Sequence, residues 1–433
     1  MEVTEQHPLT RIASTIHITL CAVWIFLGVQ LMVTDVWDES NGLTWFYDPH
    51  QSLAQKCSQV WTKPVALFRP LPTIFTAVVI HYLQNDEFAW RLLRAANMGL
   101  MLVTLSLLHK IREVWGVRSH PHALAVTVLT LYSGSACIAA GWYVNCFDVW
   151  ALLFLVAGLF LLSRQQVWTA GLSFGVAFFC KETAILIFPF LLLLVAMQRV
   201  PIRAVILAAI PAVVGAGSYF VLRSVLIDFG SAHDIHLLRW ADVWPTLMNF
   251  TESFWRQTMK DNGQVVSGFV WLTISLLTVP HWRGRAGLAL FFLSIVPVYL
   301  GMFASDQQGK LIHHWNFIGR LYLIPGVLVL LSLVGHTWGL MLLAIPILSG
   351  ALITYSDHMR FQRAYVSIHA LAERESERPL LLYSSVPLPI DTRRSIQFGD
   401  FPAARWELDL RNGSLSKRAT SQAPALERQA VQQ

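Results

Sequence analysis

The sequence predicts an all-α polytopic membrane protein with about 11 transmembrane helices, a large first external loop and a small external C-terminal segment of mixed or β character. Three observations predict it. Of 433 residues, 55% are hydrophobic and 13% charged, too little charged surface for an ordinary soluble chain of this length. The apolar residues recur in runs of span length. Between those runs, Lys and Arg gather in short clusters in alternate loops, as the positive-inside rule requires. The net charge of +6 is therefore a topology signal, and nucleic acid is not an expected partner. The five cysteines, Cys21, Cys57, Cys137, Cys146 and Cys180, show no CxxC or zinc-type spacing and read as small packing residues.

In chain order, Ile12 to Val33 carries no charged side chain for about 22 residues, enough for a helix to cross a bilayer core of about 30 Å. It is longer than a signal-peptide core and lacks a small-residue cleavage site, so it is expected to stay as an anchor. Thr34-Asp35-Val36-Trp37-Asp38-Glu39-Ser40 follows, with three carboxylates within five positions. Such a cluster is either a solvated helix end or the general base of an enzyme working at the membrane face. Pro70 to Gln84 spans about 22 Å as a helix and is expected to lie along the interface, whereas Phe88 to His109 is long enough to cross. With that second span running inward, Lys110, Arg112 and Arg118 are cytoplasmic. Arg164, the Arg199 and Arg203 pair, and the Arg283 and Arg285 pair then fall on the same side.

Further spans are expected at approximately 122–140, 143–163, 167–180, 183–198, 204–223, 265–280, 286–303, 318–335 and 337–354. The N-terminus is then inside and the C-terminus outside. Residues 1–354 form the transmembrane domain, with external loops at about 34–87 and 224–264, and residues 355–433 an external tail. In the tail, Leu380-Leu381-Leu382-Tyr383 and Arg405 to Leu410 suggest short strands, and from about Asn412 the composition predicts disorder.

Ionisable residues within or beside spans are functional candidates by default, because burying one in mid-membrane costs about 2.5–3.5 kcal/mol even on the lenient scale. Arg91 and Arg94 lie at the outer end of the second span, and their spacing of three suits a two-guanidinium phosphate clamp or snorkelling to headgroups. Lys181 and Glu182, in Cys180-Lys181-Glu182, read as a structural ion pair or as a phosphate contact with its positioning acid. Asp148 is the only acid between Trp142 and Leu162.

His233-Asp234-Ile235-His236 has a metal-compatible spacing, but no third and fourth ligands are identifiable, so no metal or other cofactor is assigned. His313 and His314 lie near Arg320 and either touch substrate or sit at the interface. Asn249-Phe250-Thr251 and Asn412-Gly413-Ser414 are glycosylation sequons on expected external segments.

Five short stretches, in order, resemble the GT-C glycosyltransferases that use a polyprenyl-phosphate sugar donor, including protein O-mannosyltransferase-like and lipid A aminoarabinose transferase-like membrane enzymes. Asp38-Glu39 matches the acidic pair that follows their first span. Phe68-Arg69-Pro70-Leu71 is similar to a Tyr-Arg-Pro-Leu signature that opens an interfacial helix. Ala140 to Asp148, running on to Phe154, resembles a stretch ending in an acid at the head of a span. Phe179-Cys180-Lys181-Glu182-Thr183-Ala184 resembles Ser-Lys-Glu-Ser-Ala, and Gly319-Arg320-Leu321-Tyr322-Leu323-Ile324-Pro325 resembles Glu-Arg-Tyr-Leu-Tyr-Leu-Pro. Together they cover about residues 12–335. The Gly-Arg-Ala that precedes the span-heading acid in the O-mannosyltransferases of the transmembrane-and-tetratricopeptide type, whose motifs the last four stretches resemble, is replaced by Asn145-Cys146-Phe147, and no stretch resembling their tetratricopeptide tail follows.

The resemblance implies a sugar on an undecaprenyl or dolichyl phosphate as donor and a hydroxyl acceptor of protein, lipid or polysaccharide. It implies Asp38 as general base, with Glu39 and Asp35 as helpers or rivals. Arg69, Arg91, Arg94, Lys181 and Arg320 are the expected phosphate cations, supported by Asp148, Glu182 and Tyr322. The expected location is a bacterial inner membrane, with the endoplasmic reticulum membrane as the alternative. The rival function is a membrane transporter or lipid flippase, which explains buried charge but does not need a large acidic first external loop.

Overall fold

The structure, a computed structural model, describes residues 8–31, 51–62, 68–83, 87–132, 146–226 and 281–304, together with short pieces between 279 and 417. Ten α-helices and four strands lie among the described residues. Helix α1 (Pro8–Leu31) opens on a proline at its first position, where the missing N–H is no loss. Helices α2 (Leu53–Thr62), α3 (Pro70–Leu83) and α4 (Glu87–Val114) follow, then α5 (His120–Tyr132) and α6 (Cys146–Ser163). Helix α7 (Val167–Phe178) ends in a turn that leads into a 3₁₀ segment (Glu182–Leu186) and α8 (Ile187–Ala196). Helices α9 (Ile202–Leu226) and α10 (Trp282–Ala304) complete the series.

Four of these are long and apolar enough to cross a bilayer: Ile12–Val29, Arg91–Val114, Cys146–Ser163 and Ile202–Leu226. The chain is thus a helical, membrane-embedded protein. The exposed faces agree, because Ile206, Ile210, Val213, Val221 and Val225 of α9 lie outward where only acyl chains would solvate them.

Membrane helices gain little from excluding water, so close backbone approach must hold them together. Gly171-Leu172-Ser173-Phe174-Gly175 supplies it. A Cβ at Gly171 would meet the Ala208 carbonyl oxygen at 2.2 Å, and one at Gly215 would meet the Gly175 Cα at 2.5 Å. The register rises together along both chains, so α7 and α9 run parallel. Helix α6 packs antiparallel to α7, where Ser173 Oγ donates to the Phe154 carbonyl at 2.7 Å and the bare Gly158 admits the Phe174 ring. Around this sits one core that includes Leu105, Leu129, Val156, Phe174, Phe190 and Ala212.

Several boundaries differ from the sequence expectation. The second span is longer than Phe88 to His109, because Lys110 and Arg112 continue the helix to Val114. The expected spans at 167–180 and 183–198 are shorter. Helix α7 has 12 residues, about 18 Å. Glu182–Leu186 takes the tighter 3₁₀ winding before α8 begins, so polar Cys180-Lys181-Glu182 breaks the apolar run earlier than hydropathy suggests. The stretch from 34 to 87 includes two helices, α2 and α3, that pack on each other, and α3 buries Pro72, Thr76, Ala77 and Ile80. The spans expected at 265–280, 318–335 and 337–354 lie wholly or largely outside the described residues.

In the tail, β1 (Leu380–Tyr383), β2 (Ile396–Gly399), β3 (Trp406–Asp409) and β4 (Ser414–Lys417) form one sheet in the order β2-β1-β3-β4. The expected disorder from about Asn412 is corrected for Ser414–Lys417, which pairs antiparallel with Trp406–Asp409, and the rest of 412–433 lies outside the described residues.

Candidate functional site

Three segments far apart in sequence meet at one end of the bundle. Asp148 stands in the first turn of α6, where a carboxylate suits the positive end of the helix dipole. Lys181 lies just before the 3₁₀ segment, and its Nζ donates to Asp148 Oδ2 in a tight, buried ion pair. Arg69 immediately precedes α3 and grips Glu182 with two prongs, Nη2 to Oε1 at 2.8 Å and Nε to Oε2 at 3.3 Å. The pairing is therefore crossed. The sequence reading of Lys181 and Glu182 as partners of each other is corrected. Lys181 has extended backbone, φ −161° and ψ 137°, and consecutive side chains on an extended segment point to opposite sides. Lys181 reaches α6, and Glu182 reaches the start of α3.

The surroundings fix these groups. Leu71 N–H donates to the Phe179 carbonyl at 3.3 Å, tying the head of α3 to the turn after α7. Thr73 Oγ1 donates to the Arg69 carbonyl at 2.6 Å. The Arg69 guanidinium lies 4.9 Å above the Phe147 ring, adding a cation–π contact beside the ion pair. Tyr219 of α9, fully buried, stacks on Phe68 and meets Phe179 edge-on, both at 5.8 Å.

Two cations and two carboxylates sum to zero, which makes their burial tolerable; an unpaired charge there would carry a penalty of several kcal/mol. Burial alone pushes the Glu182 carboxyl up, but the Arg69 charge and hydrogen bonds, with Lys181 nearby, outweigh it and hold the group down to about 2. Burial likewise works against the Arg69 charge, and Glu182 overcomes it, leaving Arg69 raised from its ordinary value.

Of the expected site residues, the structure brings together Arg69, Asp148, Lys181 and Glu182. It does not present Arg91 and Arg94 as a clamp, since Arg91 is exposed while Arg94 is 1% exposed. A spacing of three straddles the boundary between the inner and outer faces of α4. Asp35, Asp38, Glu39, Arg320 and Tyr322 lie outside the described residues, as do His233, His236, His313 and His314. Among the described residues no cluster of His, Cys, Asp or Glu could hold a metal ion.

Tyr219 and Arg223 join the site without having been singled out in the sequence. Their spacing of four at the end of an apolar run is the signal that could have found them. Compared with protein-family models, curated proteins and solved structures, the chain finds no match.

Proposed function

We propose that the chain is an integral membrane glycosyltransferase of the GT-C type, moving a sugar from a polyprenyl phosphate, undecaprenyl or dolichyl, to a hydroxyl acceptor. One observation supports this reading above the others. The segments that resemble separate family motifs, Phe68-Arg69-Pro70-Leu71, the stretch ending in Asp148, and Cys180-Lys181-Glu182, supply all four members of one interlocked charge cluster. A chance likeness would leave them scattered.

In this reading about 11 spans cross the membrane and the charge cluster faces the outer or lumenal side. The basic loops stay in the cytoplasm by the positive-inside rule. Asp38 accepts the proton of the attacking hydroxyl, with Glu39 and Asp35 beside it. The leaving group is an anionic phosphate ester, which cations at the same face stabilise as charge develops. Asp148 and Glu182 hold Lys181 and Arg69 in fixed orientations for that task, and Arg320 with Tyr322 belongs to the same face.

The test is transfer of radiolabelled sugar from a polyprenyl-phosphate donor by the purified chain. Asp38→Asn keeps the shape but removes the base, so turnover should fall roughly 10²- to 10⁴-fold with donor affinity little changed. Near wild-type turnover in both Asp38→Asn and Asp35→Asn variants would sink the reading.

A further inference from the structure

We infer that Arg223, oriented by the Tyr219 hydroxyl, is the cation that receives the phosphate of the polyprenyl donor; this rests on the glycosyltransferase reading and names a residue which that reading does not contain. Two of the cations expected from sequence, Arg69 and Lys181, already hold carboxylates. Arg69 is gripped by Glu182 and Lys181 by Asp148, so each offers a phosphate its charge with part of its donor set already taken. Arg223 differs. Among the described residues no carboxylate forms an ion pair with it.

Its placement is fixed from below. Arg223 lies in the last turn of α9 and is partly exposed, and its Nη1 donates to the Tyr219 hydroxyl oxygen at 3.4 Å. The Tyr219 ring is 0% exposed and packed between Phe68 and Phe179, which neighbour Arg69 and Lys181. One edge of the guanidinium is thus anchored beside the charge cluster, and among the described residues no other group takes the remaining N–H groups of the fork. A guanidinium with two or more parallel donors free matches phosphate oxygens bidentately, which an ammonium cannot do. The α9 C-terminus favours a cation there through the helix dipole, but that interaction leaves the donors unsatisfied.

Cations at the opposite end of the bundle are disposed otherwise. Arg164 and Arg283 lie over aromatic rings, and Arg112 and Arg285 donate to backbone carbonyls. Arg223 alone of this group combines partial exposure, a buried orienting hydroxyl and a place beside the interlocked charges.

The experiment measures binding of sugar-free polyprenyl phosphate to the purified full-length chain in nanodiscs, against the matching polyprenol and against phosphatidylglycerol. The wild type should prefer the phosphate to the alcohol. Arg223→Gln should weaken phosphate binding about tenfold or more, roughly 1.4 kcal/mol, and leave polyprenol binding unchanged. Arg223→Lys keeps the charge but not the fork and should fall between, which keeps the test valid if the Gln variant folds poorly. Tyr219→Phe should weaken phosphate binding about threefold through lost orientation. Should the wild type discriminate phosphate from alcohol while Arg223→Gln and Arg223→Lys bind as tightly as wild type, the assignment to Arg223 falls and the enzyme reading stands. If the wild type shows no preference for the phosphate, the enzyme reading itself falls and takes this inference with it. Equal loss of phosphatidylglycerol binding in Arg223→Gln would make Arg223 a membrane-headgroup anchor and overturn the donor assignment.

Discussion

The two ends of the helical bundle use the same residue types in opposite ways. At one end Lys181 reaches a carboxylate 33 positions away and Arg69 one 113 positions away. At the other, Arg112, Arg164, Arg283 and Arg285 make local hydrogen bonds and ring contacts. Arg112 Nη1 donates to the Val117 and Ser119 carbonyls at 2.7 and 3.0 Å, and Arg285 Nε to the Val279 carbonyl at 2.7 Å. Arg164 covers Phe160 at 5.4 Å, and Arg283 covers Trp282 at 5.8 Å. Charge at the first end therefore specifies which segments meet, because the extended backbone at Lys181 turns it away from its neighbour Glu182 and sends each to a distant partner. Charge at the second end closes individual helices and covers neighbouring rings.

The sharpest way to break this contrast is to remove one charge at each end. Lys181→Met leaves Asp148 buried without a partner and should cost about 3–5 kcal/mol, whereas replacing both partners by apolar residues should restore much of that. Arg164→Met removes an exposed cation and should stay within about 0.5 kcal/mol. Thermal unfolding of the purified variants in one detergent would measure both. Similar losses at Lys181 and Arg164 would mean that the ends do not differ in kind.

A smaller effect separates the two pairs at the first end. Glu182 is held well below its unfolded carboxyl value of 4.5, at about 2. A depressed carboxyl contributes stability that is fully present above the unfolded value and is lost as pH falls through the folded one. The wild type should accordingly lose thermal stability between about pH 4.5 and 2 more steeply than Glu182→Gln, which has no carboxyl to protonate. The Glu182 side chain is 22% exposed, so the loss should be smaller than that for Lys181→Met. Parallel pH profiles of the two proteins would show that the Arg69 pair does not contribute.

Much of this was legible in the sequence, for reasons that differ by region. Helices such as Cys146–Ser163 follow directly from apolar run length, since a span has little other way to satisfy its backbone. Asp148, Lys181 and Glu182 were noticeable as charge beside an apolar run, and Arg69 through the motif it resembles, yet their crossed pairing was not. It depends on the extended conformation of Lys181, which a residue list does not encode. The mismatch of Arg91 and Arg94 has the same origin: spacing gives an angle on α4 but not where the buried face ends. Ser414–Lys417 was hidden because its polar composition resembles a disordered tail, although cross-strand partners decide strand formation as much as composition does.

The smallest expected effect belongs to the second end, and it has an internal control. Helices α4, α6 and α8 all finish there with the same pair of hydrogen bonds. Gly116 N–H reaches Glu113 O at 3.0 Å and Val117 N–H reaches Arg112 O at 2.9 Å. Gln165 and Gln166 repeat this on Leu162 and Leu161 at 3.0 Å each, and Gln198 and Arg199 on Val195 and Leu194 at 2.9 Å each. Each is a Schellman cap, whose pivotal residue must be left-handed. The pivots have φ of 74°, 63° and 56° at Gly116, Gln165 and Gln198, so two of the three place a side chain where L-residues clash. Replacing Gln165 or Gln198 by glycine should relieve a local strain of roughly 1 kcal/mol, partly offset by the extra freedom glycine gives the unfolded chain. The net gain should be at most about 0.5 kcal/mol per site, and additive, since the two caps close different helices. Gly116→Gln should lose a similar amount. If the glutamine side chains instead make contacts that outweigh the backbone strain, both glycine variants will melt below the wild type. The second end would then depend on side-chain interactions as the first does.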